Sequence, residues 1–142
     1  MASPQAQAPR PVKVMVYSDD RSVRAAVITA LGTRLDADLP ELEFVEVATG
    51  PVVVSTADAG GLALLILDGE AVPAGGLGLT RQLKDEIYKC PPILVLTGRP
   101  QDAWLATWSR ADAVVGHPID PGQLAETVSG LLRRRLRAVR TA

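Results

Sequence analysis

The stretch "LALLILDGEA", residues 62–71, runs through six consecutive apolar residues and stops on Asp68. An apolar run of that length with turn residues on both sides is how a strand buried on both faces of a parallel sheet reads. Asp68 is thereby placed at a strand's carboxyl end. In open α/β sheets the ligand crevice lies beyond those ends, so a carboxylate carried there by a central strand is placed for chemistry or for metal binding. A lone Asp in that position also serves simply to end a strand and cap a loop, and the rest of the chain has to separate the two readings.

Upstream, "VKVMVYSDD" is a β-branched strand running into Ser18, Asp19 and Asp20, a second place where carboxylates collect at a strand's carboxyl end. Val23, Val27, Ala30 and Leu31 then fall at helical spacing, and Gly32 stops the helix. Residues 42–48, "LEFVEVA", form a second strand whose glutamates place it toward the sheet edge. Residues 51–61, "PVVVSTADAGG", are ambiguous: a βαβ crossover needs a helix here, yet three consecutive valines resist one.

Downstream of the Gly-rich loop, Leu77, Leu79, Leu83 and Ile87 line a helix that stops before Pro91 and Pro92. "ILVLTGRP" is another apolar strand, ending on Thr97 and Gly98. A short helix over 101–109 sets Trp104 and Trp108 four residues apart on one face. "ADAVVGHP" is the last strand, ending on His117 and Pro118. Asp120, Pro121 and Gln123 then open a final helix in a capping-box pattern that runs to about Arg140. Five strands alternating with five helices predict a doubly wound, five-stranded parallel sheet with helices on both faces.

The 142 residues suffice for one domain, and 47% of them are apolar while only five are aromatic, so the core must be layered Val, Leu, Ile and Ala. Charge is divided unevenly: residues 1–130 hold 10 basic and 16 acidic groups, a net of −6, beside a tail of +5 from Arg133, Arg134, Arg135, Arg137 and Arg140. Such a tail is either a docking element or a solvated helix end. It lacks a second basic segment, so direct nucleic-acid binding is not expected. Residues 1–11 are poor in burial-capable side chains and predict a disordered arm. One cysteine, Cys90, forms no internal disulfide and reads as an inert packed thiol. The absence of a signal-peptide pattern and of any apolar run near ~18 residues points to a cytoplasmic protein.

If the strands take the order 2-1-3-4-5, the switch point falls between the first and third strands and sets Asp19 beside Asp68. Two carboxylates there repel unless a hard cation or a proton lies between them, and oxygen-rich sites suit Mg²⁺. With these pieces in order the chain resembles the receiver domain of bacterial two-component response regulators over residues 12–132, with 133–142 as an Arg-rich extension of the last helix. The resemblance rests on "VMVYSDDRSVR", "LILDGEAVPAGGLGL", "LVLTG" and "ADAVVGHPI". It implies a flavodoxin-like (CheY-like) fold, Asp68 as phosphoacceptor, Asp19 as the principal Mg²⁺ ligand, Thr97 as the switch hydroxyl, and Pro118 following a peptide bond that is commonly cis in the family.

The departures from that pattern are specific. Ser18 replaces the first acid of the pair, which lowers the expected metal affinity. Asp20 compensates only if it points inward, and alternation of side chains does not require that. His117 stands where the family has a lysine, Val114 where it has an aromatic, and Pro73 lies one residue farther from Asp68 than usual. These substitutions predict a degenerate phosphorylation site on an intact fold, hence an atypical, stand-alone receiver that is not an enzyme and works by protein–protein interaction.

Trp104 and Trp108 read as half in the core, the alternative being exposed anchors on the face of helix 4, strand 5 and helix 5; that face, with Trp104, Trp108, Arg133, Arg134 and Arg137, is where a partner is expected. The chain is also similar to stand-alone receivers of high-GC bacteria associated with respiratory complex I, which implies an accessory role peripheral to the inner membrane. Two rivals remain: an ordinary receiver phosphorylated on Asp68 by a histidine kinase, and a small flavodoxin-like enzyme, the latter without a phosphate-cradling first loop or an activated nucleophile.

Overall fold

A computed structural model describes residues 10–98 and 103–141. In chain order the elements are β1 (Val12–Tyr17), α1 (Arg21–Leu31), β2 (Leu42–Val47), α2 (Gly50–Ala59), β3 (Leu62–Asp68), α3 (Gly76–Glu86), β4 (Ile93–Thr97), α4 (Ala103–Ser109), β5 (Ala113–Gly116) and α5 (Pro121–Thr141). The strands form one all-parallel sheet in the order β2-β1-β3-β4-β5. The arm expected over 1–11 lies almost wholly outside the described residues, as do positions 101 and 102 of the expected fourth helix.

The doubly wound layering follows from the period-two alternation of side chains. Val14, Val16, Leu64, Ile66, Leu94 and Leu96 project to one face, where Val27 and Leu31 of α1 and Leu124, Val128 and Leu132 of α5 cover them. Met15, Tyr17, Leu65, Leu67, Ile93 and Val95 project to the other, under Val53 and Ala57 of α2 and Leu79 and Leu83 of α3. Because both faces are buried, β3 and β4 read as unbroken apolar runs.

The ambiguous segment is helical. Pro51 lies in the first turn of α2, where its missing N–H costs nothing, and Val53 and Ala57, four residues apart, bury themselves against the sheet. The weak helix preference of the valines is a matter of tenths of a kcal/mol each, smaller than the gain from burying that face. Gly60 and Gly61 (φ 79° and 86°) supply the left-handed backbone that ends α2 and turns the chain into β3. At the start of α5, Asp120 Oδ1 accepts from the N–H groups of Gly122 and Gln123. Among the described residues, the reciprocal side-chain bond from Gln123 that a full capping box would add is not formed.

Candidate functional site

β1 and β3 end side by side, with Tyr17 in register with Leu67, so Ser18 arrives next to Asp68. The contact is direct: Ser18 Oγ donates to Asp68 Oδ2 at 2.8 Å, and both residues are buried. Asp68 Oδ1 accepts from the Glu70 backbone N–H at 2.9 Å and lies 3.2 Å from His117 Nε2. β5 delivers that ring: the His117 N–H donates to the Thr97 carbonyl, and the His117–Pro118 peptide is cis, as the family resemblance implied. Both oxygens of Asp68 are thus engaged by groups of the chain itself.

An open cavity of about 440 Å³ lies above this carboxylate, lined by Asp19, Asp20, Val23, Asp68, Glu70, Gly98 and His117. Asp19 is exposed at its rim. Asp20 is the N-cap of α1, its Oδ1 accepting from the Ser22 N–H (2.8 Å) and Ser22 Oγ (2.6 Å), which hold its carboxyl below the ordinary range. One Asp20 oxygen is thus committed to the helix, while the residue still lines the cavity. Burial, with the charges of Asp19 and Asp68 adding to it, pushes the Tyr17 phenol upward, so it stays neutral and donates to the Ala74 carbonyl, tying down the β3–α3 loop.

The donor set is all oxygen and chemically suited to a hard cation. Its placement is less suited. Among the described residues no three His, Cys, Asp or Glu side chains converge as a metal cage, and Asp68 Oδ2 faces a hydroxyl donor where a second carboxylate would share a cation. With a hydroxyl at Ser18, Asp19 and Asp68 are the acids that would hold Mg²⁺, an ion that usually binds through one or two carboxylates with water and phosphate oxygens.

Two residues escaped the reading of the sequence. Arg24 donates from α1 to the Ser18 carbonyl at 2.7 Å and pairs with Glu46, bracing the β1 end. Glu70 crosses the cavity mouth, its Oε1 accepting from the Gly98 N–H at 2.9 Å. Its only signal in the sequence was a carboxylate two positions beyond Asp68, and nothing local says which way such a loop side chain turns.

The partner residues fall on separate surfaces. Trp104 is 65% exposed, against the half-buried reading, while Trp108, 46% exposed, is about half covered. Trp108 stacks under Arg81 of α3, whose guanidinium carbon lies 4.7 Å from the ring centre. Arg133 pairs with Asp36 and Asp38 in the α1–β2 connection, at 3.0 and 2.9 Å, in partly exposed ion pairs. Arg134 lines a separate recess with Cys90, Pro92 and Asp112, and Arg137 one beside Asp38 and Arg133. Burial pushes the Cys90 thiol up, consistent with an inert side chain.

A five-stranded parallel sheet with this order and an acid at the tip of its third strand defines the receiver fold. Solved structures agree: the chemotaxis response regulator CheY4 of Vibrio cholerae is 24% identical with a TM-score of 0.71, covering 86% of this chain and 99% of that one. A two component transcriptional regulator AraC from Clostridium phytofermentans ISDg is 17% identical with a TM-score of 0.75, covering 92% and 99%. No protein-family model matches the chain. Uncharacterized response regulatory proteins of two Mycobacterium tuberculosis strains, CDC 1551 / Oshkosh and ATCC 25618 / H37Rv, are each 60% identical over 122 residues, 86% of this chain and 92% of theirs. The chain belongs to the response regulator family.

Proposed function

We propose that this chain is an atypical receiver acting mainly as a protein–protein interaction module, with weak Mg²⁺-dependent phosphorylation of Asp68 at most. The observation that carries the reading is the closed set of hydrogen bonds on Asp68 from Ser18, Glu70 and His117. For phosphorylation, an Asp68 oxygen must form a bond to the incoming phosphorus while the donor's P–O bond breaks and its leaving group departs. Each hydrogen bond to that carboxylate, worth about 1.5–3 kcal/mol, draws negative charge from the oxygen that accepts it and weakens it as a nucleophile. The approaching dianion also meets Asp19, Asp20 and Glu70 at the cavity, and the lysine-position residue is a shorter imidazole already beside Asp68.

Intact-mass analysis after incubation with acetyl phosphate, with and without Mg²⁺ and with an Asp68→Asn control, tests this. The expected result is little or no adduct under conditions that label an ordinary receiver. A stoichiometric adduct requiring Mg²⁺ and Asp68 would instead make the chain an ordinary phosphorelay receiver served by a histidine kinase.

Docking is assigned to α4, whose exposed tryptophans are the side chains that most often anchor interfaces. The Arg-rich extension, 133–142, plays a supporting part, and direct DNA binding is not part of the reading. No helix among the described residues is long and apolar enough to cross a membrane. The likeness to stand-alone receivers associated with respiratory complex I makes that assembly the first partner to test, with the protein cytoplasmic and peripheral at the inner membrane through it. Pull-down from the native host should recover complex I subunits with the wild type and lose them with Trp104→Ala; no recovery with the wild type would remove this partner.

A further inference from the structure

The Glu70 side chain does more than line the cavity. Its carboxylate accepts the Gly98 N–H at 2.9 Å, while its own backbone N–H is spent on Asp68 Oδ1, also at 2.9 Å. One residue thus joins the tip of β3 to the tip of β4 across the mouth of the site. The side chain lies flat on Gly98: a Cβ built there would sit 2.9 to 3.1 Å from Glu70 Oε1, Cδ and Cγ, so glycine leaves the room that the carboxylate fills. Gly98 lines the same cavity as Asp68 and His117, and its N–H is already satisfied by a carboxylate.

We propose that Glu70 is a built-in anion that takes up the Gly98 N–H at the mouth of this cavity, excluding phosphoryl groups and holding the β3–α3 loop to the end of β4. The competition is intramolecular, so a dissolved oxyanion must displace a tethered one whose effective concentration is high. It must also accept the electrostatic cost of a displaced carboxylate nearby. Glu70 acts here as a positioning residue, without touching the phosphorus. This deepens the reading of a poorly phosphorylated receiver and rests on it, because it supplies the cause of the low reactivity.

Two kinds of variant separate this cause from a general defect. Glu70→Ala removes the carboxylate, and Glu70→Gln keeps its shape without charge. Gly98→Ala leaves Glu70 in place chemically but pushes its side chain off the N–H; the Gly98 backbone does not need a left-handed φ, and the group it would strike is the far end of a flexible side chain. Each is incubated with acetyl phosphate and Mg²⁺ and followed by intact mass, with thermal melts confirming folding. In the labelling step the Asp68–phosphorus bond forms, the acetyl P–O bond breaks and acetate leaves.

Glu70→Ala and Gly98→Ala should each raise the rate of adduct formation by about tenfold or more, the worth of one charge-assisted hydrogen bond, with Glu70→Gln between them and wild type. Wild type and all variants equally unlabelled would overturn the role of Glu70 and leave the degenerate receiver standing. A wild type that labels fully while Glu70→Ala labels faster would keep the role and overturn the degenerate reading. Full labelling at one rate throughout would overturn both.

Discussion

Ser18→Asp is expected to make the stability of this protein depend strongly on magnesium. The wild-type hydroxyl is fully buried and donates to Asp68 Oδ2 at 2.8 Å. A carboxylate in its place has no proton to give, so two buried negative charges would face each other at hydrogen-bond distance, and without a cation the fold should lose several kcal/mol. With Asp19 at the rim, the same change completes three carboxylates around one point, the arrangement a hard cation favours. At Mg²⁺ concentrations about a hundred times Kd, binding restores about 2.7 kcal/mol, or about 5–10 °C of melting temperature for a chain of this size. Thermal melts of both proteins with Mg²⁺ and with a chelator measure it. Equal responses from wild type and variant would show that Ser18 is not what sets the site's metal affinity.

Ile66→Ala should produce a comparably large effect by a different route. Ile66 is fully buried in the central strand, between Val16 of β1 and Leu94 of β4, with α1 and α5 closing over that face. Truncation leaves a cavity in a layer pinned from both sides, costing about 2–5 kcal/mol and about 10 °C of melting temperature. Val139→Ala, at a side chain 57% exposed, should change stability by no more than about 0.5 kcal/mol. Similar losses from the two variants, read from urea unfolding, would mean that β3 is not the spine of the core.

β3 also shows how the sequence carried the fold. Its unbroken apolar run is legible because a strand covered on both faces has no position left for a polar side chain, and parallel pairing then requires a crossover on each side. α2 was legible only through that requirement. Its own valines argue against a helix, and the decision came from burying Val53 and Ala57 against a sheet whose other strands lie elsewhere in the sequence. Trp104 was misjudged for the complementary reason: apolar character states a preference for burial, but where a short helix comes to rest decides which of its side chains is covered, and Trp104 is left exposed.

By itself the sequence determined the strand and helix order, the all-parallel sheet, and the gathering of Ser18, Asp68 and His117 at one edge, because each is written in local runs and in strand ends a few residues long. Only the tertiary structure decided what those groups do to one another: that Ser18 donates to Asp68, that Glu70 turns back onto Gly98, and that Arg133 folds onto Asp36 and Asp38. Those contacts join residues 28 to 97 positions apart. Their geometry depends on where separate elements come to rest and on the rotamer each side chain takes there, to within less than an ångström, and no pattern along the chain encodes that.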